Sequence, residues 1–135
     1  MNTYTFYTDP GHAWLAVSVK EIKHYNIAHL ISNYSYVDNR LENVYLEEDE
    51  DAYLFLKYVK RFNIEYTFKN EELAENNFIR SLPRFKDIYL NYKAHFVDMK
   101  NIISGSDIIY SMKNGQLIRE EKKHNQPHTE GFYHV

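Results

Sequence analysis

Apolar and polar positions change period several times along the chain, and each change marks an element. Thr3-Tyr4-Thr5-Phe6-Tyr7 is β-branched and aromatic throughout and predicts a first strand. Asp9-Pro10-Gly11 predicts a turn, in which Pro presets φ and Gly supplies a permissive backbone. His12 to Val17 predicts a second strand, so that residues 3–17 form a hairpin. Ser18 and Glu21 have the spacing of a capping box, where each side chain satisfies an orphan backbone N–H at a helix start. Val19, Ile22, Ile27 and Leu30 trace a broken helical stripe, and Asn26 stands where a helix often ends in a left-handed residue. Residues 34–37 and 43–46 predict two short strands around the polar turn Asp38-Asn39-Arg40.

The clearest helix follows the acidic run Glu47-Glu48-Asp49-Glu50-Asp51. Ala52, Phe55, Leu56 and Val59 fall on one face, and Lys57, Lys60 and Arg61 stand in the last turns. Acid at the start and base at the end both complement the helix dipole. Residues 64–68 alternate like a half-buried strand. Ile79 to Phe85 contains Pro83 and predicts an extended surface crossing that ends the main unit. Residues 86–98 are amphipathic without a clear period. Asn114-Gly115 between apolar-containing runs is a hairpin signal. The fold class expected is α+β: a small mixed or antiparallel sheet packed with two helices, plus a C-terminal hairpin. The expected divisions are a core domain over 1–85, an extension over 86–121, and a polar tail over 122–135 that is mobile unless a partner holds it. An added hairpin can pair an exposed strand edge, so both a monomer and a homodimer are compatible with the pattern.

Composition narrows the function classes. The 135 residues suit one domain, with 44% hydrophobic and 26% charged positions. No apolar run approaches the roughly 20 residues that cross a bilayer, and the first residues lack a signal-peptide pattern. The expected location is therefore the cytoplasm. Cysteine is absent, which excludes disulfides, thiolate zinc sites and a cysteine nucleophile. A net charge of −3 is unlike a dedicated duplex-DNA binder, which carries a basic excess. The 13 tyrosines suit either a strand-rich fold or a contact surface.

Several residues carry candidate chemistry. Asp9 and His12, separated by a tight turn, can form a base and its orienter or contribute metal ligands; equally, Asp9 can cap a structural turn. Glu47, Glu48, Asp49, Glu50 and Asp51 can chelate a cation, mimic phosphates, or serve as helix N-terminal charge. Contiguous acids fan around a helix axis and cannot all aim at one point. Trp14 suits a core position or a stacking platform. Arg80, Arg84 and Lys86 with Phe85 can contact a nucleic-acid backbone and stack a base, or form a solvated loop anchored by Phe85. Tyr53 and Tyr58 lie off the main apolar stripe of their helix and can anchor a protein contact. His124, His128 and His134 in the tail are irregularly spaced for a metal. No P-loop, G-x-S-x-G or H-E-x-x-H pattern is present, and no cofactor is called for.

Four segments occur together in a recognisable order: Tyr7-Thr8-Asp9-Pro10-Gly11-His12-Ala13-Trp14-Leu15, Ser32-Asn33-Tyr34-Ser35-Tyr36, Tyr45-Leu46-Glu47-Glu48-Asp49-Glu50-Asp51-Ala52, and Ile79-Arg80 to Arg84-Phe85. Over residues 3–85 the chain resembles a family of small uncharacterised proteins of bacteriophages and plasmids. It departs from that pattern at Ala13, where glycine is usual, and at Glu50, where many members have cysteine. The resemblance implies a mobile-element accessory protein and supplies no activity. In that setting the leading expectation is a protein that binds a host defence protein or ribonucleoprotein and inhibits it, as anti-CRISPR proteins do. The alternatives are a small metal-dependent enzyme using Asp9 and His12, and a nucleic-acid-binding regulator using Arg80, Arg84 and Phe85.

Overall fold

The computed structural model describes residues 1–98, 108–113 and 116–121. The fold is α+β. Strands β1 (Asn2–Thr8), β2 (Ala13–Ser18), β3 (Tyr36–Val37), β4 (Asn43–Glu47) and β5 (Tyr66–Glu72) form one sheet in the order β3-β4-β2-β1-β5. Its neighbours are antiparallel except β1 and β5, which run parallel with Tyr4 opposite Phe68. A parallel pair needs a crossover, and helix α2 (Asp51–Arg61) provides it between β4 and β5.

Helix α1 (Val19–Tyr25) starts and stops where its sequence dictates. Glu21 N donates to Ser18 Oγ at 3.1 Å, the Glu21 side chain reaches back to Ser18 N, and Asn26 closes the helix at φ 54°. Val19, Ile22 and Tyr25 point inward with Ala52, Phe55 and Val59 of α2. They cover the sheet face that carries Tyr4, Leu15, Val17, Val44 and Leu46, and together these residues form the main core. Ile27 joins that core, whereas Leu30, the last residue of the expected stripe, is exposed.

Alternation along β2 and β4 sends their other residues to the opposite face. There Trp14, Tyr36 and Tyr45 pack with Ile79, flanked by Tyr7, Ala16, Leu73 and Leu82. Among the described residues no α-helix covers this face. Residues 73–84 lie over it as a strap, tied by Leu73 N to Thr8 O at 2.7 Å and by Val37 N to Pro83 O at 3.1 Å.

Four expectations are corrected. The strand expected at 64–68 is β5, which continues through the polar residues to Glu72 because β1 offers its free edge to any backbone. The strand expected at 34–37 is only Tyr36–Val37, since Ser32 to Ser35 bond to a side chain instead of a ladder. The described residues form three α-helices instead of two: α3 (Phe85–Asn91) follows Arg84, and 79–81 is a 3-10 turn within the expected extended crossing. Residue 85 does not bound the apolar core. Phe85 and Phe96 are both fully buried in the main cluster, with their ring centroids 5.0 Å apart.

Strands β6 (Ile108–Lys113) and β7 (Gln116–Glu121) pair antiparallel with Lys113 opposite Gln116. The Asn114-Gly115 turn and the tail 122–135, with His124, His128 and His134, lie outside the described residues. No helix among the described residues is long and apolar enough to cross a membrane.

Candidate functional site

The β1–β2 turn is organised by one carboxylate. Asp9 Oδ1 accepts from Gly11 N at 2.9 Å and from His12 N at 2.8 Å, the geometry of an Asx turn. Arg80 closes on the same group as a two-pronged fork, with Nε to Oδ2 at 2.6 Å and Nη2 to Oδ1 at 3.0 Å. Asn77 Nδ2 adds a further bond to Oδ2 at 2.9 Å. The guanidinium beside it holds the Asp9 carboxyl well below the usual carboxylate range, helped by the two turn N–H groups and Asn77 and opposed by burial. The Asp9 side chain is fully covered, while Arg80 stays 36% exposed. Gly11 does not adopt a left-handed φ. A Cβ there would lie 3.4 Å from Arg80 Nη2, in ordinary van der Waals contact with the pair.

Arg80 also lies over the Trp14 ring, 5.4 Å from its centroid. One turn on, Arg84 lies 4.6 Å over the Tyr36 ring and donates to Asn33 O at 3.2 Å. Both arginines are therefore laid against aromatic faces of the second sheet surface. Ile79, fully buried immediately before Arg80, anchors the strap that carries them.

A second carboxylate organises the neighbouring loop. Asp51, the first residue of α2, is buried. It accepts from Ser32 N at 3.0 Å, Ser32 Oγ at 2.7 Å and Ser35 Oγ at 2.5 Å. Ser35 Oγ in turn accepts from Glu47 N at 3.0 Å. This network holds Tyr34 at the surface, 61% exposed, and Tyr36 beneath it. Glu47 folds over its own turn, accepting from Asp49 N at 2.8 Å and Glu50 N at 3.0 Å.

These pieces enclose a cleft of about 460 Å³, within the size range of ligand pockets. Trp14 and Tyr36, at 2% and 8% exposure, form its base. Arg80 and Arg84 line it from the strap, and Glu47, Asp49 and Glu50 from the acidic loop. His12 and Tyr34 complete its margin. All four segments singled out in the sequence thus meet at one place, although they are dispersed over about three-quarters of a hundred residues of chain.

The candidate residues separate accordingly. His12, Glu47, Asp49, Glu50, Arg80 and Arg84 line the cleft. Asp9 stands behind Arg80, and its carboxylate meets the His12 backbone, not its imidazole; the ring lies 6.0 Å from Trp14 instead. Asp51 faces inward and acts as a loop anchor. Phe85 is fully buried and stacks on Tyr89, so it offers no face to a nucleic-acid base. Glu48 and Tyr53 are exposed outside the cleft, and Tyr58 is half-buried beneath Arg61. Among the described residues, no three His, Asp or Glu side chains come close enough to share a metal ion. Tyr34, Tyr36 and Asn77 were not singled out individually from the sequence. The two tyrosines fall in the Ser-Asn-Tyr-Ser-Tyr segment, which marked them; nothing local marks Asn77.

Comparison of the chain with protein-family models, with curated proteins and with solved structures found no match.

Proposed function

We propose that this protein acts by binding a partner protein through the cleft, as a mobile-element accessory factor that inhibits a host defence component. The observation that carries the binding reading is the convergence of the four sequence segments on one cleft, where the carboxylate of the Asp9–His12 pair is committed to the turn and to Arg80. Asp9, the base-orienting candidate, already accepts five hydrogen bonds, from Gly11, His12, Asn77 and twice from Arg80. A carboxylate so saturated stabilises a turn and has no lone pair to spare for orienting an imidazole. The exposed Tyr34 supplies the kind of aromatic anchor that dominates protein interfaces. The defence target comes from the resemblance to bacteriophage and plasmid proteins.

The test is an affinity pull-down with the full chain from a bacterial lysate that carries active CRISPR and restriction systems, read by mass spectrometry. The expected result is a stoichiometric defence component retained by the wild type and lost with Tyr34→Ala. Retention of no defence component, or retention unchanged in Tyr34→Ala and Arg84→Ala alike, overturns the reading.

A further inference from the structure

The chemistry of the cleft restricts what enters it. Its base holds two polar groups that the protein leaves unused. Trp14 and Tyr36 are both more than nine-tenths buried, yet neither the indole N–H nor the phenol hydroxyl has a hydrogen-bond partner among the described residues. Buried donors without partners are uncommon in native proteins, and each calls for an acceptor. An indole N–H can only donate. Arg84 adds spare donors, since its guanidinium has five N–H groups and one recorded acceptor, Asn33 O.

The acidic loop has the complementary shortage. The Asp49 and Glu50 side chains are exposed, line the same cleft, and accept no hydrogen bond from the described residues. Asp9 neutralises Arg80. The lining therefore carries an excess of negative charge, with Glu47, Asp49 and Glu50 set against Arg84. A free anion is disfavoured there, whereas neutral acceptors on the base and a cation beside the acids satisfy every unused group.

A peptide supplies both at once. We infer that the cleft takes a peptide segment of a partner protein that presents an arginine or lysine side chain. Its backbone carbonyls accept from Trp14, Tyr36 and Arg84, and its cationic end meets Asp49 and Glu50. This inference rests on the cleft being the recognition surface and names what it recognises.

Trp14 is the chain's one tryptophan and lies in the cleft lining, so its fluorescence reports occupancy directly. The full-length protein is titrated with acetyl-Gly-Arg-Gly-amide, with the same peptide carrying neutral citrulline, and with acetyl-Gly-Glu-Gly-amide. The arginine peptide is expected to give a saturable change, and citrulline to weaken it on the order of tenfold through the lost ion pairs. The double variant Asp49→Asn/Glu50→Gln is expected to lose a similar factor. Tyr36→Phe, which keeps the ring and removes the hydroxyl, is expected to weaken binding severalfold at an unchanged melting temperature. Equal binding of arginine and citrulline peptides, a preference for the glutamate peptide, or no saturable change up to about 10 mM overturns the inference. The inference and the proposed function fail separately. If the neutralised double variant still captures the same defence component, binding stands and the basic-segment inference falls. If Trp14 responds to the arginine peptide but no defence component is captured, the inference stands and the proposed target falls.

Discussion

The two faces of the sheet share strands but not chemistry. On one, Leu15, Val17, Val44 and Leu46 lie beneath the apolar stripes of α1 and α2, and the packing is mostly aliphatic with Phe55, Phe85 and Phe96 filling it. On the other, Trp14, Tyr36 and Tyr45 lie beneath an irregular strap that contributes one fully buried aliphatic residue, Ile79, and two arginines. A helix satisfies its own backbone and can seal a face with side chains alone. A strap cannot, so it is pinned by side-chain bonds at Asp9 and by backbone bonds at Thr8 and Val37. The helical face is closed and serves stability. The strapped face leaves a cleft lined by Trp14, Tyr36, two arginines and the acidic loop, whose polar groups are only partly satisfied among the described residues.

That contrast can be broken on either side. The largest effect is expected in the helical core. Phe55→Ala removes a fully buried ring in edge contact with Tyr4 and Tyr25, and should cost about 3–5 kcal/mol in chemical denaturation. Asp51→Ala strikes the hinge between the two faces. It leaves the Ser32 and Ser35 hydroxyls without their acceptor, and should cost roughly 2–3 kcal/mol. The same variant should also lower partner capture, because Tyr34 and Tyr36 lose their support.

Asp9→Asn tests the strap itself, with an expected cost of about 1–2 kcal/mol. Its pH dependence is more telling. The folded Asp9 carboxyl titrates below its unfolded value, so its contribution is present above pH ~4 and is lost as pH falls further. Wild-type stability should therefore decline on the acid side more steeply than that of Asp9→Asn. Parallel acid profiles of the two proteins would show that the Asp9–Arg80 pair does not tie down the strap. The smallest effect on stability, within about 0.5 kcal/mol, is expected for Glu50→Gln, whose side chain is exposed and unbonded among the described residues. A cleft residue with no measurable role in folding but a clear role in capture is the sharpest separation of the two faces.

How much of this was legible differs by element. Helix α1 was readable from Ser18 and Glu21 at one end and Asn26 at the other, because capping is a local transaction between neighbours in sequence. Helix α2 was readable from its stripe. The reading of Asp9 as a turn acceptor was also available, since Asp-Pro-Gly presents its own backbone donors. Helix α3 was not readable: Pro83 signalled an extended path, and the helix begins two residues later with its buried Phe85 as the only strong cue. Phe85 itself was ambiguous because an aromatic beside arginines has the same local pattern whether it faces a base or a core.

The sequence by itself determined the α+β class, the hairpin, the two capped or striped helices and the segments worth watching. These follow from periodicity and from bonds between residues a few positions apart. Only the tertiary structure decided that β5 joins β1 in parallel, that the core runs on through Phe96, and that Asp9 meets Arg80 across 71 positions of chain. It alone turned Asp51 inward to two serines while leaving Asp49 and Glu50 at the cleft. The physical reason is that a carboxylate's role depends on which donors surround it, and in a folded chain those donors arrive from segments whose meeting no local pattern encodes.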